Sequence, residues 1–289
     1  MLPLRNRLLP RLAAGVLAAV LAAVLAASGS AALAQGRLEA HYTASLAGLA
    51  IGKGTWVVSI DSAHYTAAAS GVTTGLIRVF TGGEGTSAAR GTVVGGRLMS
   101  SLYASTIKTR HRTDEVRFTV HDGNIKDFKL DPPQDKDPER VPITQASEHG
   151  VLDPMTASLL RAPGNGDVLK PEACARTLSV FDGRLRYDLN LAYKRMDKVK
   201  AHKGYAGPVL VCTVHFSPVA GYIPSRTVIR YLRKLRTIEV WLAPIAGTRI
   251  LAPFRIQGPT PIGEARLDAD QFVTEAASKR ASNHGLRVP

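Results

Sequence analysis

The chain has 289 residues, of which 45% are hydrophobic, 21% charged and 6% aromatic, with two cysteines and a formal net charge of +14 at pH 7. This composition excludes a disordered or low-complexity chain and a disulfide-dense miniature scaffold, and the length suits one large β domain or two small ones. The positive balance points to anionic partners, set against the plainer reading that lysines and arginines are scattered over solvated strand faces.

Arg5, Arg7 and Arg11 precede an apolar run from Leu12 to Ala27, and Ala32-Leu33-Ala34 stands before Gln35. A basic head, an apolar middle and small residues at the minus-three and minus-one positions predict a secretory signal peptide cleaved after Ala34, and hence a periplasmic protein. A retained anchor needs about 18 or more apolar residues, and the run here has 16. Lipid attachment needs a cysteine at the cleavage site, whereas the first cysteine is Cys174. Removing these 34 residues and their three arginines leaves 255 residues with a net charge of +11.

The rest of the chain shows period-two patterning, the mark of strands with one buried face. Leu38 to Leu46 and Thr55 to Ile60 flank the glycine-bearing turn Gly48 to Gly54, and strands are predicted over His64 to Gly71 and Ile77 to Thr81. The glycine-rich stretch Gly82 to Gly85 follows, and Gly91 to Leu98 continues the strand meander. Val116, Phe118 and Val120 alternate with Arg117 and Thr119, and Asp122-Gly123-Asn124 turns into Ile125 to Leu130. The proline-rich segment Asp131 to Arg140 suits neither a central strand nor a helix interior and reads as a loop.

Asp153-Pro154 has the form of a helix start, with Asp153 as N-cap and a helix predicted to about Arg161. Asp182-Gly183 centres a hairpin whose second strand alternates Leu185, Tyr187, Leu189 and Leu191 with polar residues. Strands over Val209 to Phe216, Thr227 to Leu235, Thr237 to Ala243, Ile250 to Gln257 and Gly263 to Leu267 complete the series. The domain reading is a signal peptide over 1–34, a β-rich domain over 35–268 and a polar, flexible tail over 269–289. Ten or more short antiparallel strands with one short central helix predict a single strongly curved sheet or a partly closed β-barrel.

Tyr42, Gly48-Leu49-Ala50-Ile51-Gly52, Gly71-Val72-Thr73-Thr74-Gly75-Leu76, Asp153-Pro154, Phe181-Asp182-Gly183-Arg184 and Val240-Trp241-Leu242-Ala243 occur in that order. Together they resemble the bacterial exported proteins grouped as domain of unknown function 3108, over roughly Leu38 to Leu267. The resemblance implies a secreted or periplasmic, β-rich protein. It brings no catalytic residues, since none are established for that family.

Cys174 and Cys212 form an isolated pair, and in an oxidising compartment a structural disulfide is the expected state. Closing that 38-residue separation is worth roughly 4 kcal/mol in the chain-entropy model. The eight histidines have no helical ligand spacing, and the mature chain carries no nucleophile elbow, phosphate loop or dinucleotide fingerprint. No catalytic residue, cofactor or metal site is therefore predicted.

Two basic clusters stand out. Lys194, Arg195, Lys198, Lys200 and Lys203 are expected between strands, and Arg230, Arg233, Lys234 and Arg236 at one strand end, the latter group as a candidate anion-binding surface. Their plainer reading is a solvated loop and a charged edge that resists aggregation.

The leading functional expectation is non-enzymatic binding of a lipid or other cell-envelope component on the curved sheet. The alternative is an envelope scaffold that docks a protein through its basic surface, and the third reading is an enzyme without a recognisable motif. The expected partners are lipid, lipopolysaccharide or an envelope protein, with peripheral membrane contact and without nucleic acid. Against a transmembrane barrel, several strands carry charges where an apolar band would be needed, and the chain ends in Arg287-Val288-Pro289.

Overall fold

The structure is a computed structural model that describes residues 35–75 and 82–276. The signal-peptide segment, the strand predicted over Ile77 to Thr81 and the chain after 276 lie outside those residues. The described residues form β1 (Gly36–Leu46), β2 (Leu49–Ile60), β3 (His64–Thr73), β4 (Glu84–Val94), β5 (Arg97–Lys108), β6 (Thr113–His121) and β7 (Asn124–Asp131). After the helix α1 (Pro154–Ala157) come β8 (Leu160–Arg161), β9 (Arg176–Phe181), β10 (Arg186–Lys200), β11 (Lys203–Gly204) and β12 (Ala206–Ala220). The series ends with the helix α2 (Thr227–Lys234), β13 (Ile238–Pro244), β14 (Ile250–Thr260) and β15 (Gly263–Ala276).

All fifteen strands join one curved sheet in the order β7-β6-β5-β4-β3-β2-β1-β15-β14-β13-β12-β10-β9, with β8 on β14 and β11 on β15. The pairing is antiparallel except for the two-residue β11–β15 contact. Chain neighbours are therefore mostly sheet neighbours, as period-two patterning broken by turns dictates. The first and last strands meet across the sheet between β1 and β15.

The two edges, β7 and β9, share no ladder, so the barrel is unclosed. The segment between them stitches them instead: Gly150 N–H donates to Gly123 O at 2.7 Å, Leu152 N–H to Ser179 O at 2.8 Å, and Phe181 N–H to Leu152 O at 2.9 Å. Phe181 also stands 5.5 Å from Phe118 and 5.7 Å from Phe128, ring centre to ring centre. Arg184 reaches across to Asp114 at 2.7 Å.

The inner face is packed by Leu38, Val58, Tyr65, Val209, Trp241 and Phe272 among others. The outer face of β12, β13 and β14 is covered as well, by the segment holding Leu160, Ala173 and Cys174. Consecutive residues Val209 to Cys212 and Val240 to Ala243 are consequently buried on both sides. The bridge between Cys174 and Cys212, with Cα atoms 5.6 Å apart, ties that cover to β12.

Helix α1 plugs the interior. Asp153 is fully buried, and its Oδ1 accepts from the N–H groups of Met155 and Thr156, both at 2.9 Å. Its Oδ2 accepts from the hydroxyls of Ser100 at 2.6 Å and Thr156 at 2.5 Å. Since the Thr156 hydroxyl donates to Asp153, Tyr65 O–H supplies the proton of its 2.5 Å bond to Thr156.

Four local expectations are corrected. The helix stops at Ala157 rather than near Arg161, because Leu160 and Arg161 pair with the β14 edge as β8. The stretch Gly91 to Leu98 is not one strand: Gly95 and Gly96, with φ of 57° and 75°, make the turn between β4 and β5. Thr227 to Leu235 is not a strand either, since Ile229 and Leu232 share the face of a helix that packs against β12.

The last strand also runs past Leu267 to Ala276, so residues 269 to 276 belong to the sheet rather than to a tail. Tyr42 faces Ala269 while His41 faces Gln271, which leaves Asp270 as a bulge residue. The extra residue lets Ala269 and Phe272, three positions apart, both face the core and so hides the period-two signal.

Candidate functional site

Cross-strand rows on the inner face change in bulk along the strands. One row joins Leu38, Val58, Ala67, Ala89 and Tyr103, and the next joins Ala40, Trp56, Ala69, Ser87 and Ser105. The row after that joins Tyr42, Gly54, Gly71, Gly85 and Ile107, with three glycines side by side on β2, β3 and β4. Core residues fill the sheet at one end, and at the other the same face is left without side chains across β2, β3 and β4.

A cavity of about 620 Å³ lies over this glycine row, lined also by Ala69, Ile107 and Leu267. A second, of about 240 Å³, adjoins it through Gly54, Ala69 and Leu267 and continues to Tyr42, Trp56 and Met155. At Gly71 and Gly85 an added Cβ would meet nothing nearer than 3.5 Å and 3.7 Å, respectively. Space, not backbone strain, is therefore what glycine provides there.

The lining of the trough is mostly apolar, with Lys53 and Glu84 among its residues. Tyr42 is buried, donates its O–H to Pro253 O at 2.6 Å and is held above its ordinary titration range by that burial. Trp56 is buried, and its indole N–H has no acceptor among the described residues. By contrast, the Trp241 N–H donates to Asp197 at 2.9 Å, and the guanidinium groups of Arg195 and Arg255 lie 5.3 Å and 5.2 Å from the Trp241 ring. The buried acid nearest the plug, Asp153, is held above its usual range by burial, with its oxygens already occupied by four donors.

The residues singled out in sequence fall elsewhere. Arg230, Arg233 and Lys234 are exposed on α2, and the latter two complement the negative end of its dipole. Arg236 donates to the carbonyls of Arg233 at 2.8 Å and Leu235 at 3.1 Å, so it caps the helix. Lys194, Arg195, Lys198 and Lys200 lie on β10 rather than between strands, and Lys203 opens β11. Lys194 and Arg195 bond the buried Glu239. Burial alone would raise that carboxyl, but the two cations bring it below its ordinary value.

The glycine row was missed in sequence. Gly54 belongs to a stretch that reads as a turn, and Gly71 and Gly85 sit in separate strands, so only register puts the three together. Among the described residues no group of His, Cys, Asp and Glu is placed to hold a metal ion. No described helix is long and apolar enough to cross a membrane.

Fold and site together define a barrel-like protein built from one unclosed antiparallel sheet, plugged by a short helix and open at one end in a glycine-floored trough. The chain belongs to the family described as Protein of unknown function (DUF3108), whose model matches residues 40–270. A solved structure described as a β-barrel-like protein of domain of unknown function DUF1849 from Brucella abortus is similar over 84% of this chain and 98% of its own. The two share 10% identity at a TM-score of 0.48. No curated protein matches the chain.

Proposed function

We propose that this protein is exported to the periplasm and binds one apolar chain of an envelope lipid, without catalysing a reaction. The observation that carries the reading is the Gly54–Gly71–Gly85 row beneath a cavity of about 620 Å³. That volume lies in the small-molecule range of roughly 300–1,000 Å³. The trough is concave and walled by the curving sheet, which suits a slender acyl chain better than a helix or strand of a partner protein. Export rests on the basic, apolar and small-residue order of the first 34 residues.

Titration of the mature protein with the neutral fluorophore N-phenyl-1-naphthylamine tests the binding. Saturable binding is expected, weakened about tenfold or more by Gly85→Leu, which puts an isobutyl group into the trough. No saturable binding, or equal binding by the variant, overturns the reading. Fractionation of expressing cells should place a chain beginning at Gln35 in the periplasm.

The scaffold reading has one observation in its favour: among the described residues Arg230, Arg233 and Lys234 make no ion pair and face outward from α2. If that face docks an envelope protein, replacing all three with glutamate abolishes a specific crosslink in cells and leaves fluorophore binding intact.

A further inference from the structure

A second cavity of about 620 Å³ lies between the start of β5, the α1–β8 segment and the start of β9, and three arginines, Arg97, Arg161 and Arg176, line it. Distant parts of the chain deliver them. Arg97 follows the Gly95-Gly96 turn, Arg161 ends the two-residue strand on β14, and Arg176 opens β9 just after the disulfide-bonded Cys174. Each is positioned by its neighbours: Arg176 Nη2 donates to Arg161 O at 2.8 Å. The Arg161 guanidinium lies over Gly96, where an added Cβ would come within 2.9 Å of Nε.

Several other half-buried arginines have carboxylate partners, whereas Arg140 and Arg249, also half-buried, donate to backbone carbonyls instead. Arg184 pairs with Asp114, Arg186 with Asp188, and both Arg255 and Arg266 with Asp268. Arg161 and Arg176 are half-buried too, yet among the described residues neither they nor Arg97 makes an ion pair. Glu172 lines the same cavity without pairing to any of them. The residues outside the described ranges contain no Asp or Glu that could serve.

Charges withdrawn from water normally acquire a counter-charge, because desolvation without one is costly. Here burial, and then Arg161 and Arg97, weaken the hold of Arg176 on its own proton. The charge of a bound anion would offset both effects.

We infer that Arg97, Arg161 and Arg176 form a phosphate-binding site for a phosphate group carried on an apolar body. Guanidinium forks match the oxygens of a phosphate with paired, charge-assisted hydrogen bonds. The remaining wall includes Leu98, Leu159 and Leu178, which offers an apolar seat beside the charge. The site does not rest on the trough, because α1 gives Met155 and Ser158 to that cavity and Thr156 and Ala157 to this one.

Calorimetric titration of the mature protein with dihexanoyl phosphatidic acid, inorganic phosphate and dihexanoylglycerol tests the site. The phosphatidic acid should bind with an affinity that falls as salt is raised, and Arg97→Ala and Arg161→Gln should each weaken it about tenfold. Arg97 is exposed, so its variant keeps the test decisive should Arg161→Gln fold poorly, and melting curves check both. Tighter binding of phosphatidic acid than of inorganic phosphate is the expected result, and equal binding overturns the apolar body and leaves a site for the free ion. Absence of phosphate binding, unchanged binding in the Arg97 variant, or equal binding of dihexanoylglycerol overturns the proposal. Gly85→Leu should leave this titration unchanged, so failure of the trough and failure of the arginine site are separately visible.

Discussion

The strands β12–β14 and the strands β2–β4 belong to the same sheet and solve opposite problems. In β12–β14 both faces are covered, one by the interior and the other by the Cys174 segment, and runs such as Val209 to Cys212 have no exposed side. In β2–β4 the inner face thins from Val58, Ala67 and Ala89 to Gly54, Gly71 and Gly85, while the outer face is in contact with water. The two tryptophans follow the same division: Trp241 has its N–H bonded and its ring flanked by arginines, whereas Trp56 has neither among the described residues. Burial on both faces is concentrated on one side of the barrel, and on the other side the glycine row leaves space.

Four measurements break or sharpen this contrast. The largest effect belongs to Leu242→Ala, which empties a fully buried position on β13 and should cost roughly 2–5 kcal/mol in urea denaturation. A loss below about 1 kcal/mol would mean that the doubly covered region is not the stable one. Next, replacing Cys174 and Cys212 together by alanine should cost roughly 2–4 kcal/mol, and reductant should lower the melting point of the native chain but not of that variant.

On the open side, Gly71→Leu should change stability by no more than about 1 kcal/mol, because the nearest atom to an added Cβ is 3.5 Å away. The same substitution should reduce fluorophore binding about tenfold, so that stability and binding part company there. A large loss of stability with unchanged binding would show the glycine row to be a packing feature.

The smallest effect concerns the plug. Burial raises the Asp153 carboxyl above its ordinary value in the folded protein. Its favourable contribution is therefore present at acid pH and is lost as pH rises through the raised value. Asp153→Asn lacks that titration, so the stability advantage of the native chain over the variant should shrink as pH rises above the ordinary aspartate value of about 4. An advantage that grows over that range would show that the four hydrogen-bond donors, rather than burial, govern the group.

Much of the fold is legible along the chain where a local rule and the tertiary structure agree. The Asp182-Gly183 turn lies between β9 and β10 as the alternation of Leu185, Tyr187, Leu189 and Leu191 indicates, and Asp153 caps α1 through its own side chain. Legibility fails where one extra residue or one packed face changes the period. The Asp270 bulge conceals the end of β15, and Thr227 to Lys234 carries β-branched and aromatic residues yet forms a helix, because Ile229 is buried from a helical face. Neither candidate site is written locally, since Gly54, Gly71 and Gly85 read singly as ordinary glycines, and Arg97, Arg161 and Arg176 are isolated arginines within an already basic chain.

By itself the sequence determined the class: alternating strands punctuated by glycine, proline and Asp-Gly turns form an antiparallel sheet, and two lone cysteines form its bridge. Those are short-range properties, set by which face of a strand each side chain takes and by which turn the backbone can make. Only the tertiary structure decided the register that aligns three glycines into a trough, the curvature that walls it, and the meeting of three arginines that make no ion pair among the described residues. Such features depend on contacts between residues far apart in the chain, and no local pattern encodes how much space or charge remains once those contacts are made.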